Sequence, residues 1–249
     1  MAGTDSGRGP RRHRLQLTVD STLLFFALPQ EAAAFIQLAR RRGWALVRVS
    51  LPQPQSALQH WTAPGLEIWV TGMGLENARR GGEAALETGR PERIITSGVA
   101  GALNPEARVA WVYHEADANF PGGDRLQASA SQSGRMVSRD RVVVTRAEKA
   151  QLRAETGADL VDMESALLRN MAQTRGIPSA TVRSVSDTAA GDLVLDFNRV
   201  YTAQKTLHPG RLALEIARAP WKIPALIRFG ADAQKASVRL AEILIEVLG

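Results

Sequence analysis

The chain has 249 residues, 45% of them hydrophobic, which is enough apolar material for one large domain that needs no covalent staples. The absence of cysteine excludes disulfides, thiol catalysis and Cys-ligated metal centres, and four scattered histidines (His13, His60, His114, His208) make a poor zinc site. The net charge of +6 sits at the ends: Arg8, Arg11, Arg12 and Arg14 oppose only Asp5 in residues 1–14, and residues 205–240 are again strongly basic, around a slightly acidic body.

In chain order, residues 1–20 read as a flexible basic tail and residues 21–249 as one domain. Neither a secretory leader nor an apolar run of about eighteen residues is apparent, so a cytoplasmic setting is expected. Leu23–Ala27 reads as a buried strand, followed by Pro29 and a helix over Ala32–Arg41. Trp44–Val49 alternates as a second strand and Leu66–Thr71 is a third, after which Gly72-Met73-Gly74 turns into a helix from Glu76 to about Thr88. Arg93–Thr96 predicts a fourth strand that ends in a turn from Ser97 to Gly101, and Val109–His114 a fifth. Residues 119–140 read as a connection or exposed hairpin. A strand over Arg141–Thr145 then leads to a helix over Arg146–Glu155, with Gly157 as its C-cap. Leu160-Val161 leads into a helix from Met163 to Arg175, and Ser179–Val185 is the last strand. Two helices, Leu207–Arg218 and Gly230–Leu248, finish the chain with Pro220 and Pro224 between them. This alternation predicts an α/β domain with a mostly parallel, mixed central sheet flanked by helices, and functional residues at the carboxyl ends of strands.

Gly72-Met73-Gly74 begins like a dinucleotide fingerprint, but Asn77 stands where the third glycine belongs, so a tight turn is the simpler reading. The sequence has no P-loop and no GxSxG elbow, and no nucleic-acid-binding signature accompanies the basic ends, so no nucleic-acid partner is expected. Three carboxylates stand at strand exits: Glu31 after the first strand, Glu164 in Val161-Asp162-Met163-Glu164-Ser165, and Asp187 in Arg183-Ser184-Val185-Ser186-Asp187. Singly, Glu31 and Glu164 read as charges at helix N-termini, each worth about 0.3–1 kcal/mol, and Asp187 as a turn or N-cap residue. Together, the predicted fold would converge them on one crevice.

These motifs resemble those of the nucleoside phosphorylase and methylthioadenosine/S-adenosylhomocysteine nucleosidase superfamily. The resemblance runs from Leu23 to about Phe197 and includes Ala27-Leu28-Pro29-Gln30-Glu31, Val70-Thr71-Gly72-Met73-Gly74 and Ser97-Gly98-Val99-Ala100-Gly101. Its most specific pieces are the segments around Glu164 and Asp187, about twenty residues apart. Within that superfamily, Lys149 to Ser165, Leu195 to Arg199 and Arg211 to Phe229 are similar to the hopanoid-associated phosphorylase group.

The resemblance implies cleavage of a purine N-glycosidic bond. That chemistry needs a proton for the departing base, a nucleophile at C1′ and a grip on the ribose. Asp187 is then expected to be the general acid toward N7, with Ser186 holding it, and Glu31 to activate a water as general base. Glu164 would accept hydrogen bonds from the ribose hydroxyls, and Met163 would pack on the ribose face. Arg183 would lie near the nucleophile or the ribose, or pair with one of these carboxylates; Val99 would lie in the turn beneath the ribose, and Phe197 on the purine side. Phosphorylases of the superfamily carry Arg and Ser where this chain has Thr96 and Val99, so water is favoured as nucleophile, with phosphate as the alternative co-substrate and no cofactor. The implied substrate is a 5′-substituted adenine nucleoside, extending through the hopanoid likeness to adenosylhopane, and the implied assembly is a homodimer. Residues 220–229 interleave Trp221, Ile223, Leu226, Ile227 and Phe229 with Lys222 and Arg228, a composition suited to contact with a membrane interface, or to packing in an inter-helix turn.

Overall fold

Alternate side chains of the first strand serve two different cores. In the computed structural model, which describes residues 21–51 and 58–249, Leu24 and Phe26 of β1 (Thr22–Phe26) join a cluster with Phe35, Ile36 and Ala39 of α1 (Pro29–Arg41). Leu240 and Leu244 of the C-terminal helix α8 (Ile223–Leu248) complete that layer. Leu23 and Phe25 face the opposite way, toward Ala78 and Ala85 of α2 (Leu75–Leu86) and Leu168 and Ala172 of α5 (Ser165–Gln173). This is the period-two geometry of a strand covered on both faces, and it explains the unbroken apolar run.

The sheet continues through β2 (Val47–Val49), β3 (Gln59–Ala63), β4 (Leu66–Val70), β5 (Arg93–Ala102), β6 (Val112–Ala116), β7 (Gln132–Ser133), β8 (Met136–Ser138), β9 (Leu160–Asp162) and β10 (Ser179–Asp187). Its strand order is β2-β3-β4-β1-β5-β10-β6-β7, with β9 pairing with both β5 and β8. The centre, β4-β1-β5-β10, is parallel, while β2-β3-β4, β10-β6 and β5-β9 pair antiparallel. The domain is therefore α/β with a mixed sheet between helices, as the alternation predicts. Among the described residues, no helix is long and apolar enough to cross a membrane. The basic tail expected over residues 1–20 lies outside the described residues.

Several boundaries differ from the sequence expectation, each for a physical reason. The fourth strand does not stop at Thr96, because residues 98–101 continue to pair with β10 and Gly101 also pairs with Val161 of β9. The segment Ser97 to Gly101 is thus strand and not a turn. The last strand likewise runs on to Asp187. Arg141–Thr145 is not a strand; the Asn198 side-chain amide occupies the backbone of Val142, accepting from its N–H at 2.9 Å and donating to its carbonyl at 2.9 Å. A strand over Gln59–Ala63, unforeseen in the sequence, pairs with β4, and the strand expected over Trp44–Val49 contracts to its last three residues. The fifth strand begins at Val112 and not at Val109, after Ala110 with φ +66°. The 119–140 connection holds α3 (Gly123–Ala128) and the short strands β7 and β8.

Near the C-terminus, α6 (Phe197–Val200) and α7 (Pro209–Arg218) precede a short 3₁₀ turn over Pro220–Lys222. Pro224 does not divide the last two helices. It lies in the first turn of α8, where its missing N–H would have had no intrahelical acceptor, so that helix starts seven residues before the expected Gly230.

Candidate active site

The carboxyl ends of β1, β5, β9 and β10 meet around a cavity of about 230 Å³. Glu31, Val99, Met163, Glu164, Ser186, Asp187 and Phe197 all line it, together with Met73, Tyr201 and Phe229. Seven of the eight residues singled out from the sequence are therefore brought together. Arg183 is not on the cavity wall: it is buried behind it, with Nε and Nη2 donating at 2.8 and 2.7 Å to Oδ2 of Asp162. A larger cavity of about 590 Å³ lies elsewhere, and its charged groups are tied up in one network, Arg169 pairing with Glu115 at 3.0 Å and with Asp117 at 2.7 Å.

Glu31 sits in the first turn of α1, where Pro29 starts the helix, and both its carboxylate oxygens accept backbone N–H groups: Leu28 at 2.9 Å and Val99 at 3.0 Å. The close approach to β5 requires Gly98, with φ +150°, because a Cβ there would lie 2.9 Å from Oε1 of Glu31. Burial pushes the Glu31 carboxyl above its ordinary value, partly countered by the Val99 N–H and by Arg183. The amide beneath the expected ribose site is thus occupied by a carboxylate.

Glu164 is the N-cap residue of α5, with Oε1 accepting the Gly74 N–H at 2.7 Å from the turn before α2. It is pushed up to about 8, first by burial and then by the neighbouring Asp162. Asp162 stands two residues before Glu164 in the same motif. It anchors the wall by accepting from Arg183, Ser138 and Ser165.

Asp187 owes its direction to a β-bulge between Val185 and Asp187, where β10 slips against β5 at Ser186. Ser186 donates to Asp187 Oδ1 at 2.7 Å and lies 3.2 Å from the Ala100 carbonyl. Gly101 leaves room beside it, since a Cβ there would stand 3.3 Å from Oδ2. A residue missed in the sequence approaches from α4 (Arg146–Thr156): the fully buried Lys149, whose Nζ is 2.6 Å from Asp187 Oδ2. Its sequence signal is a lysine three residues before Leu152, the other buried residue of that helix.

The opposite wall is aromatic. Phe197 stacks on Tyr201 with centroids 6.2 Å apart and packs against Phe229 at 5.4 Å. Burial raises the Tyr201 hydroxyl above its ordinary value, and the Glu31 and Glu164 charges add to that. Among the described residues, no group of three or more His, Asp or Glu side chains is placed to hold a metal ion. The site therefore presents carboxylates, flat apolar surfaces and two methionines, Met73 and Met163.

A family model described as the phosphorylase superfamily matches residues 124–248. Among solved structures, a Helicobacter pylori 5′-methylthioadenosine/S-adenosylhomocysteine nucleosidase is similar at 16% identity and TM-score 0.64, over 92% of this chain and 98% of that one. The futalosine hydrolase of the same organism is similar at 16% identity and TM-score 0.63, over 92% and 97%. A Neisseria meningitidis nucleosidase solved with methylthio-immucillin-A is similar at 17% identity and TM-score 0.62, over 92% and 98%. At these identities the likeness to the solved structures is one of fold.

Proposed function

The chain belongs to the phosphorylase superfamily, and from that premise we propose that it cleaves the N-glycosidic bond of a purine nucleoside with water as nucleophile. The observation that carries this reading is the convergence of Glu31, Glu164 and Asp187 on one cavity with an aromatic wall. A purine packs against the aromatic wall formed by Phe197 and its neighbours, and Asp187 gives a proton to N7 as the bond to C1′ breaks. Glu164 holds the ribose hydroxyls and stabilises the positive charge that grows on the sugar, while Met163 covers the ribose face. Glu31 takes the proton of the attacking water; burial raises its carboxyl, which makes it a stronger base.

Water is favoured over phosphate by the position of Glu31. Its carboxylate accepts the Val99 N–H, the donor that a phosphate bound at that end of β5 would use, and an anion there would face a like charge. Thr96 is turned to the hydroxyl of Thr181 at 2.9 Å and is buried, so it offers no substitute.

The 5′ group is read as apolar. Leu193, Val142, Val143 and Phe229 continue the cavity wall toward a segment with large exposed apolar side chains: Leu207, Leu214, Trp221, Ile223 and Ile227. Arg211, Arg218, Lys222 and Arg228 lie along the same stretch. This composition supports peripheral contact with an anionic membrane, and with it a lipid-bearing adenosine such as the hopanoid likeness implies. A homodimer and a cytoplasmic setting belong to the same reading.

The deciding experiment incubates the protein with methylthioadenosine, adenosine, inosine and a lipid-substituted adenosine, with and without phosphate, and follows free base and sugar product. Release of the free base and of the free sugar, still carrying its 5′ substituent where there is one, is expected without phosphate. Sugar 1-phosphate as the product overturns the choice of nucleophile, and no base release from any of the four overturns the function.

A further inference from the structure

We propose that Lys149 is a positioning residue that balances the charge created on Asp187 when the base departs, an inference that rests on Asp187 being the general acid. The step is explicit. The C1′–N9 electron pair passes to the purine, N7 takes the proton from the Asp187 carboxyl, and the water oxygen bonds to C1′ and yields its proton to Glu31. Asp187 ends the step as a carboxylate at the edge of a largely apolar cavity, where a new charge is costly without a counter-ion.

Lys149 is built for that task. Its side chain is 1% exposed, and the ammonium directs one donor to Asp187 Oδ2 at 2.6 Å, another to the Thr188 carbonyl at 2.8 Å and a third to the Gly191 carbonyl at 3.3 Å. All three of its donors are used, so its position is fixed by the 187–191 loop as much as by the carboxylate. It also leaves Oδ1 to Ser186, which holds the other half of the group at 2.7 Å. Lys149 is not among the residues that line the cavity, so it acts through Asp187 and not on substrate. The arrangement places a fixed positive charge where negative charge develops, without reorganisation during the reaction.

The test compares leaving groups. Wild type, Lys149→Met, Lys149→Arg, Asp187→Asn and the Lys149→Met/Asp187→Asn double variant are assayed on methylthioadenosine and on a 4-nitrophenyl riboside, whose phenolate departs without a proton. Lys149→Met is expected to lower kcat for the nucleoside about 10²-fold with KM little changed, and to leave the nitrophenyl riboside within about threefold. Lys149→Arg should recover most of the loss, and the double variant should be no slower than Asp187→Asn alone. Equal losses on both substrates, or a double variant slower than Asp187→Asn, overturn the proposal. Should Lys149→Met fail to fold, the double variant removes both buried charges together, and its comparison with Asp187→Asn decides. A wild-type protein that releases no base refutes the enzymatic reading itself, a result separate from any behaviour of Lys149.

Discussion

The two walls of the cavity are built on opposite physical plans. The carboxylate wall stands where strands give way to helices and loops, and there Glu31, Glu164 and Asp187 have backbone or side-chain partners within 3.0 Å. The aromatic wall is made of the short helix α6 and the first turns of α8, and it runs outward into Trp221, 74% exposed, and Ile227, 68% exposed. One wall is polar and hydrogen-bonded; the other is apolar and meets solvent. The difference teaches how the labour would divide: bond breaking belongs to the first wall, and selection of what hangs from the sugar to the second.

The largest effects should come from breaking the first wall. Asp187→Asn is expected to lower turnover on methylthioadenosine by about 10²–10⁴, and Glu31→Gln to abolish hydrolysis while nucleoside binding stays measurable by calorimetry. Near-normal base release by either variant would remove that residue from its role. Next in size is Gly98→Ala, which drives a Cβ into Oε1 of Glu31 and should cost about 10–10²-fold in kcat, with adenine affinity retained. An unchanged kcat would show that Glu31 needs no such close seat.

Glu164 yields a prediction about pH. Its carboxyl is held up to about 8 by burial and by Asp162, against an ordinary value of 4.5. Between those values the folded protein retains a proton that the unfolded chain has released. This group's stabilising effect is therefore complete below about pH 4.5 and disappears as pH rises through about 8. Glu164→Gln should flatten that decline in thermal-melting scans across the interval. Activity runs the other way, since a ribose-holding carboxylate must be ionised, so kcat/KM should climb toward pH 8. A variant whose melting temperature falls with pH as steeply as wild type would place the raised carboxyl elsewhere.

The smallest catalytic effect should come from the second wall. Trp221→Ser with Ile227→Ser is expected to leave turnover of methylthioadenosine within about twofold, yet to weaken partition onto vesicles containing anionic phospholipid by about tenfold or more. Undiminished vesicle binding, or none by the wild type, would return the segment to ordinary surface.

How much of this was legible beforehand follows the same division. The apolar runs of β1 and β4 announce buried strands, and the residues at their exits could be picked out because strand ends are where an α/β sheet gathers function. What could not be read was anything decided by long-range pairing. Residues 98–101 carry two glycines and look like a turn, yet β10 and β9 extend them as strand. Val142–Val144 has strand composition, yet the Asn198 amide takes the ladder's place. Lys149 escaped notice because a lysine on a helix is ordinarily a solvated one, and only the fold reveals that its end lies against Asp187.

Helix α8 begins at the aromatic wall, where Phe229 packs on Phe197, and ends among fully buried residues such as Leu244 and Val247. To deuterium in the solvent this single rod should therefore behave as two. The amides near Phe229 can open with a local fluctuation and exchange early, whereas those from Leu240 onward are released only when the whole sheet lets go. A nucleoside held against Phe197 would slow the first set and leave the second untouched, so one helix would report occupancy at one end and global stability at the other.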